Sequence, residues 1–245
     1  MVEHVEIVNK DGRVLRGYLH IPMNFRGDVV VFFHGFTGNK TEHDGHFRNM
    51  ARHLEYYGIA SLRMDFSGNG ESDGEFYDFT YDTMLPEALQ MVEYAKSVDG
   101  FKRLILLGFS MGGAMASTLS GMIPDDIYKV ILWSPAGDMD KRIQTRYETL
   151  EKNERGNVML GVFEMSKAMY DSSFNWKPMA NLDKFNGEVL IIHGRCDKSV
   201  DPLISSKYAV SYKNSHLYYI DGAGHGYDDP VQYEKLYKLT IDFLL

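Results

Sequence analysis

The sequence predicts an α/β fold with a mostly parallel, doubly wound sheet and helices on both faces. Short runs of β-branched and aromatic residues recur along the chain, and helical patterns separate most of them. The run Val29-Val30-Val31-Phe32-Phe33 is continuous rather than alternating, which is typical of a strand buried on both faces of a parallel sheet. With 245 residues, 44% of them hydrophobic, the chain is long enough for one large domain.

The N-terminal segment predicts a hairpin that precedes the parallel part of the sheet. Two strands, Val2 to Val8 and Val14 to Ile21, are joined by Asp11-Gly12, a strong turn signal. Strands and helices alternate after it, as they do when helices connect parallel strands. The predicted strands are 29–33, 59–64, 104–107, 130–133, 189–192 and 217–220. The predicted helices are 41–57, 81–96, 111–122, 203–212 and 231–244.

The alternation breaks after Ser134-Pro135, and we interpret residues 136–180 as an insertion between two strands. Its length exceeds an ordinary connection of about 2–6 residues. We therefore expect a core made of 1–135 and 181–245. The apolar part of the insertion contains Met159, Phe163, Met165, Met169, Tyr170, Phe174 and Trp176. These side chains form either an apolar wall of a binding site or the packing of the insertion on the core.

Composition limits the partners and the location of the protein. A net charge of −8 argues against nucleic acid and against an anionic membrane, both of which need a basic patch. The single cysteine, Cys196, excludes an internal disulfide. No signal peptide is visible, and no apolar run reaches the roughly 18 residues of a membrane span. We expect a cytoplasmic protein, and the sequence leaves the oligomeric state undetermined.

The motif around Ser110 predicts a nucleophile. Gly108-Phe109-Ser110-Met111-Gly112 fits G-x-S-x-G, with a buried strand directly before it and a helix rich in small residues directly after it. In this arrangement the serine projects from a sharp strand-to-helix turn, and the glycines let neighbouring backbone pass without a Cβ clash. The alternative is a tight turn whose serine only caps the helix.

A serine hydroxyl needs a base, and the base needs an acid to orient it. Where this motif occurs, the partners follow in the order serine, acid, histidine. Asp197 comes in the loop after the strand at 189–192, and His225 comes in the glycine-rich loop after the strand at 217–220. Both loops leave the carboxyl ends of strands, where α/β sheets build sites. We predict that Ser110, Asp197 and His225 act together.

Other polar residues compete for these roles. Asp201 and Asp221 are the rival acids, but Asp201 is expected to cap the next helix and Asp221 belongs to the loop of the histidine itself. His34 and His193 end buried strands and are interpreted as structural groups near the site. Cys196 is expected to be a small buried residue. The run His43-Asp44-Gly45-His46 lacks a clear third ligand, so no metal is expected.

A tetrahedral intermediate needs two N–H donors preset around its oxygen. The N–H of Met111 lies at the start of the helix after Ser110, where the helix dipole also favours negative charge. The second donor is expected in the loop after the strand that ends at His34. We assign it to the N–H of Phe36, because Gly35 leaves room for the chain to turn.

The motifs together resemble the bacterial cinnamoyl (feruloyl) esterases of the α/β-hydrolase superfamily. The segments that carry the resemblance are His34 to Lys40, Arg63 to Glu75, Gly108 to Gly112, His193 to Asp197 and Gly222 to His225. The resemblance covers most of the chain except 136–180. It implies an eight-stranded, mostly parallel sheet with a small lid. It also implies hydrolysis of hydroxycinnamate esters through an acyl-enzyme, with no cofactor. It identifies no substrate-contacting residue in the lid.

Two groups of alternatives remain open at this point. The same three residues could serve a lipase or monoacylglycerol-type esterase, a thioesterase or an acyltransferase. A non-catalytic receptor for a small molecule could also use this scaffold, because a fold does not determine a function.

Overall fold

The computed structural model describes residues 1–245, and its centre is an eight-stranded sheet of order β1-β2-β4-β3-β5-β6-β9-β10. The pairs β1–β2 and β2–β4 are antiparallel, and every other pair of neighbours is parallel. The strands of this sheet are β1 (Val2–Val8), β2 (Val14–His20), β3 (Asp28–Phe33), β4 (Ala60–Met64), β5 (Arg103–Phe109), β6 (Ile127–Trp133), β9 (Glu188–Gly194) and β10 (Ser215–Ile220). The predicted fold class is confirmed.

Helices cover both faces of the sheet and create two apolar layers. They are α1 (His46–Tyr56), α2 (Tyr81–Lys96), α3 (Met111–Met122), α4 (Met139–Thr149), α5 (Lys167–Ser173), α6 (Leu203–Ser211) and α7 (Pro230–Leu244). Val29 and Val31 of β3 pack in the larger layer with α2 and α3, whereas Val30 and Phe32 pack in the smaller layer with α1 and α7. Burial on both faces explains the continuous apolar strands. No helix combines the length and the hydrophobicity needed to cross a bilayer.

The first helix begins later than the sequence pattern predicts. The prediction placed it at 41–57, but α1 begins at His46 and a short 3-10 turn occupies His43–Gly45. Glu42 and Asp44 have positive φ values of 59° and 49°, which are incompatible with a right-handed helix. The segment between β3 and α1 is therefore a structured loop.

The segment 136–180 lies between β6 and β9 and contains α4, α5 and a hairpin of β7 (Val158–Leu160) and β8 (Phe163–Met165). Met165, Met169 and Trp176 are buried in the larger apolar layer. The Trp176 indole donates a hydrogen bond to Thr118 Oγ1 at 2.9 Å. For these three side chains the structure favours packing on the core over a binding wall. The division of the chain into core and lid stays a prediction.

A buried ion pair ties the loop after β3 to the end of β4. Lys40 Nζ lies 2.6 Å from Asp65 Oδ2, and the two side chains are 6% and 0% exposed. We expect Lys40→Met to lower the free energy of unfolding by about 3 kcal/mol, because it leaves a buried carboxylate without its counter-charge. Denaturation in urea measures the change.

The exposed pair of Lys167 and Asp171 supplies the matched control for this prediction. Its Nζ–Oδ2 distance is 2.7 Å, but both side chains are more than half exposed. We expect Lys167→Met to change the free energy of unfolding by less than about 1 kcal/mol, because solvent screens the pair. Equal losses in the two variants would contradict a special contribution of Lys40.

Candidate active site

Ser110 occupies the turn between β5 and α3 in a strained backbone conformation. Its φ is 55° and its ψ is −115°, values that a residue with a side chain rarely adopts. A Cβ on Gly112 would collide with the carbonyl oxygen of Phe33, and a Cβ on Gly108 would collide with the backbone of Gly112. Both glycines of the motif are therefore required for β3, β5 and α3 to approach each other closely.

The structure brings the three predicted residues together at the carboxyl edge of the sheet. His225 Nε2 lies 3.0 Å from Ser110 Oγ, and His225 Nδ1 lies 2.6 Å from Asp197 Oδ2. A carboxylate only accepts hydrogen bonds, so Nδ1 carries the proton and Nε2 accepts the serine hydroxyl. This is the geometry in which an imidazole can remove the proton of a serine.

Asp197 is buried and its carboxylate is fully engaged. Oδ1 accepts the backbone N–H groups of Ser199 and Val200 at 2.8 and 2.9 Å, while Oδ2 faces His225 and His193. Burial acts to raise the pKa of Asp197, but the hydrogen bonds from His193, His225 and the backbone outweigh it and hold that pKa well below its usual range. Asp197 is therefore ionised and poised to stabilise a positive imidazole.

His193 is a second histidine on the same carboxylate. Its Nε2 lies 3.0 Å from Asp197 Oδ2 and 3.2 Å from the carbonyl oxygen of Val200, and its Nδ1 lies 2.6 Å from Ser205 Oγ. Both oxygens near Nε2 are acceptors, so Nε2 carries the proton and Nδ1 accepts from Ser205. The sequence predicts a structural histidine near the site but not this contact, since nothing local indicates which way the ring of His193 faces.

The other histidine at a strand end, His34, stabilises the backbone under the site. Its Nδ1 lies 2.9 Å from the carbonyl oxygen of Gly35, and its Nε2 accepts the N–H of Phe66 at 3.2 Å. The ring is completely buried. His34 thus connects the loop after β3 to the loop after β4.

The rival acids lie away from His225. Asp201 accepts the N–H of Leu203 at 2.9 Å at the start of α6, and Asp221 forms an exposed pair with Arg195 at 2.6 Å.

The expectation that Cys196 is buried is wrong, because its side chain is exposed and lines the cavity beside His225. The bend of the chain that buries Asp197 turns Cys196 outward.

Phe36 and Met111, the residues predicted to supply the oxyanion donors, lie close to Ser110, Met111 as its neighbour in the chain and Phe36 in the loop after β3. A Cβ on Gly35 would lie 3.5 Å from the Cβ of Ser110, so the loop that carries Phe36 runs directly beside the nucleophile. The N–H of Phe36 donates no backbone or side-chain hydrogen bond within the chain. Met111 is the first residue of α3, where backbone N–H groups have no partner inside the helix. The role of these two groups as oxyanion donors stays a prediction.

A cavity of about 630 Å³ opens above Ser110 and His225. Its lining is mostly polar and consists of Gly35, Phe36, Thr37, Gly38, Asn39, Glu42, His43, Phe109, Ser110, Cys196, Lys198, Ser199, Gly224, His225, Gly226 and Asp228. No residue of the insertion 136–180 lines it.

The insertion nevertheless reaches the cavity through an aromatic row. The ring of Phe36, which lines the cavity, lies 5.2 Å from that of Phe76, and the ring of Phe76 lies 5.0 Å from that of Phe163 in β8. The guanidinium of Arg146 in α4 lies 5.5 Å from the Phe36 ring. These edge-to-face and cation–π contacts join two elements of the insertion to the wall beside Ser110.

The rings of His43 and His46 lie 6.3 Å apart, but they bind different partners. The His46 ring bonds to the hydroxyl of Tyr237 and to the carbonyl of Gly226, whereas His43 Nε2 is exposed and lies 2.6 Å from Asp228 Oδ1. Asp228 is far from His43 in the sequence, so the sequence pattern does not predict this contact. The contact connects the loop after β3 to the loop of His225. The absence of a bound metal stays a prediction.

The parallel sheet and the turn at Ser110 define this protein as a member of the α/β-hydrolase class. Residues 26–169 match the family described as "Serine aminopeptidase, S33" (Hydrolase_4), and the chain therefore belongs to that family. The match includes the turn at Ser110 and the loop of Phe36, and it ends inside the insertion.

The relatives and solved structures that the chain resembles include esterases and lipases. The chain is 27% identical to protein phosphatase methylesterase 1 of Candida albicans over 51% of its own length and 33% of the relative. It is 25% identical to monoglyceride lipase of Homo sapiens over 76% of its own length and 59% of the relative. The matches thus span one third to three fifths of these relatives. Est1E from Butyrivibrio proteoclasticus, solved with ferulic acid bound, superposes with a TM-score of 0.87 and 28% identity over 98% of this chain and 97% of Est1E.

Proposed function

We propose that the protein is a serine carboxylesterase that hydrolyses hydroxycinnamate esters through an acyl-enzyme intermediate. The observation that carries the proposal is the continuous set of hydrogen bonds from Ser110 through His225 to Asp197. Ser110 and His225 line a cavity whose wall includes the aromatic side chain of Phe36. The similarity over nearly the whole chain to Est1E, which was solved with ferulic acid bound, supports a hydroxycinnamoyl group as the acyl part of the substrate.

The proposed reaction has two steps. Ser110 attacks the ester carbonyl while His225 removes its proton, and His225 returns the proton to the departing alcohol. Water then repeats the cycle on the acyl-enzyme and releases the acid. Asp197 keeps the proton of His225 on Nδ1 and stabilises the imidazolium that forms in each step.

Charge stabilisation in both steps is assigned to two backbone groups. The carbonyl oxygen becomes negative when its carbon becomes tetrahedral, and rigid N–H donors stabilise that charge. The N–H groups of Phe36 and Met111 flank Ser110 and fill this role in our proposal. Such donors are effective because they need no rearrangement during the reaction.

The cavity favours an acyl group with a planar ring over a long alkyl chain. Three of its 16 lining residues are hydrophobic, which provides little surface for an extended acyl chain. Phe36 places an aromatic side chain in the lining, in a row with Phe76 and Phe163. The second candidate is a monoglyceride lipase, which the human relative favours.

A panel of esters distinguishes the two candidates. We expect kcat/KM for methyl ferulate and methyl p-coumarate to exceed that for a monoacylglycerol and for a medium-chain p-nitrophenyl ester. The comparison uses kcat/KM because this ratio reports differential binding of the transition state. A higher kcat/KM for the monoacylglycerol would contradict the proposed hydroxycinnamate substrate. The proposal of a serine esterase would not be affected.

A substitution in the aromatic row tests the contribution of the insertion. We expect Phe163→Ala to lower kcat/KM for methyl ferulate by about 5- to 20-fold, and to lower that for p-nitrophenyl acetate by less than about 2-fold. Losing Phe163 removes the support for the Phe76 and Phe36 rings, a loss on the order of 1–2 kcal/mol. Steady-state kinetics on both esters measure the effect.

Phe174 provides the control because it belongs to the same insertion but is 50% exposed and contacts Tyr170 instead. We expect Phe174→Ala to leave the preference between the two esters unchanged. Equal losses on both esters in the Phe163 variant would count against selection of the acyl group by the insertion.

A further inference from the structure

We propose that Glu42 is the positioning residue of the oxyanion site, because its carboxylate holds the loop Gly35–Gly38 so that the N–H of Phe36 faces the carbonyl above Ser110. The inference rests on the proposed function. It assigns Glu42 an effect on the reaction through the backbone, not a contact with the reacting atoms.

The contacts of Glu42 place its carboxylate inside the curve of this loop. Oε2 accepts the N–H of Gly35 at 2.6 Å, and Oε1 accepts the N–H of His43 at 3.2 Å. A Cβ on Gly38 would lie 2.9 Å from Oε1, so the carboxylate also contacts the far end of the loop. One side chain therefore touches both glycines that border Phe36 and Thr37.

The loop needs such support because its own backbone provides little. Within it, the one backbone hydrogen bond joins the N–H of Gly38 to the carbonyl oxygen of Gly35 at 3.0 Å. Thr37 has a φ of 63° and Glu42 a φ of 59°, so two residues with side chains occupy the left-handed region. Backbone in this region persists only where surrounding contacts determine it. The bond from the N–H of Gly35 to Glu42 fixes the peptide directly before the one that carries the Phe36 N–H.

The bond from Gly35 also sets the direction of the donor that follows it. The N–H of Gly35 points inward to Glu42, and the next N–H, that of Phe36, is left free beside Ser110. An oxyanion donor contributes strongly only when it is oriented before charge develops. The carbonyl of the peptide that carries the Phe36 N–H is that of Gly35, which lies 2.9 Å from His34 Nδ1 and accepts the N–H of Gly38 at 3.0 Å. Without the carboxylate of Glu42, the peptide directly before it loses its partner, and the loop can shift because glycine accepts most backbone conformations.

The side chain is held in place despite an electrostatic penalty. Burial raises the pKa of Glu42 to about 7, against the opposing effect of the hydrogen bonds from Gly35 and His43. Glu42 is partly buried at the edge of the cavity, and its carboxylate keeps both backbone hydrogen bonds although burial disfavours its charge. Both oxygens bind backbone N–H groups, whereas His225 already occupies the position of the base at Ser110.

The test compares Glu42→Ala and Glu42→Gln with the wild type. The measurements are kcat and KM for methyl ferulate and the affinity for a trifluoromethyl ketone, whose adduct with Ser110 carries an oxyanion. We expect Glu42→Ala to lower kcat by about 30- to 100-fold with KM changed less than about 2-fold, since a donor at this site contributes about 10²- to 10³-fold in full. The ketone affinity is expected to fall in parallel.

The glutamine variant separates position from bulk. Its amide oxygen can still accept the N–H of Gly35, so we expect kcat to recover to within about 5-fold of the wild type.

Glu87→Ala is the control for a general loss of stability. Glu87 is a buried carboxylate that accepts the N–H of Ser67 at 3.0 Å on another loop. We expect it to lower the melting temperature without weakening ketone binding.

A wild-type kcat and an unchanged ketone affinity in Glu42→Ala would overturn the inference and leave the proposed function intact. A loss confined to KM would also overturn it, because positioning of an oxyanion donor acts on the transition state. If the wild type hydrolyses none of the esters, the proposed function fails. In that case ketone affinity alone decides the inference, since adduct formation needs no turnover.

Discussion

Replacing Ser110 by alanine is expected to lower kcat for every ester substrate by about 10⁴-fold or more. The change removes the atom that forms the acyl-enzyme, whereas His225 and Asp197 keep their mutual hydrogen bond at 2.6 Å. Steady-state kinetics with methyl ferulate and p-nitrophenyl acetate measure the loss. An unchanged melting temperature would show that the fold is intact.

Ser199→Ala is the matched control for this experiment. Ser199 is exposed in the same cavity, and its contact with Asp197 is made by the backbone N–H, which alanine keeps. We expect near wild-type kinetics for this variant. Near wild-type rates in Ser110→Ala would refute the assignment of the nucleophile.

Labelling by a fluorophosphonate probe separates an enzyme from a receptor with the same scaffold. The probe reacts with a serine hydroxyl that a base activates. We expect it to label the wild type and Ser199→Ala but not Ser110→Ala. A wild-type protein that resists labelling would favour the receptor alternative.

Asp197→Asn is expected to produce the second largest effect, a fall in kcat of about 10³- to 10⁴-fold. Two ring N–H groups, from His193 and His225, donate to the same oxygen of Asp197. The amide of asparagine offers one acceptor and one donor, so it cannot accept both the two ring N–H groups and the backbone N–H groups of Ser199 and Val200 on the other oxygen. His225 is then no longer held with its proton on Nδ1. Kinetics at a fixed pH measure the loss.

The rival acid Asp221 supplies the control for Asp197. Asp221 is exposed and pairs with Arg195, so Asp221→Asn removes a surface ion pair without touching His225. We expect its kcat/KM to stay within about 2-fold of the wild type. A larger loss in Asp221→Asn than in Asp197→Asn would reverse the assignment of the acid.

Much of the site could be predicted from the sequence because local backbone chemistry encodes it. The glycines around Ser110 are needed for a turn that no other residue fits, and they lie two positions from the serine they serve. Asp197 and His225 follow strands whose continuous apolar pattern predicts a parallel sheet. Parallel strands place their carboxyl ends on one edge, so the order along the chain predicts that the three residues meet.

Patterns in sequence were less informative where the answer depends on contacts between distant segments. The insertion looks equally suited to a binding wall and to packing, yet Met165 and Trp176 are buried against the core. Cys196 looks like a buried residue but is exposed beside Asp197. The loop before α1 looks helical, but positive φ values at Glu42 and Asp44 prevent a helix there.

The sequence by itself determined the fold class, the turn at Ser110 and the order of the acid and the base, since each depends on backbone conformations that short motifs specify. Only the tertiary structure decided that His193 shares the carboxylate of Asp197, that Phe163 contacts Phe76 in the aromatic row, and that Glu42 accepts the N–H of Gly35 beside Ser110. The physical reason is that side-chain partners depend on how elements pack, and packing is a property of the whole chain.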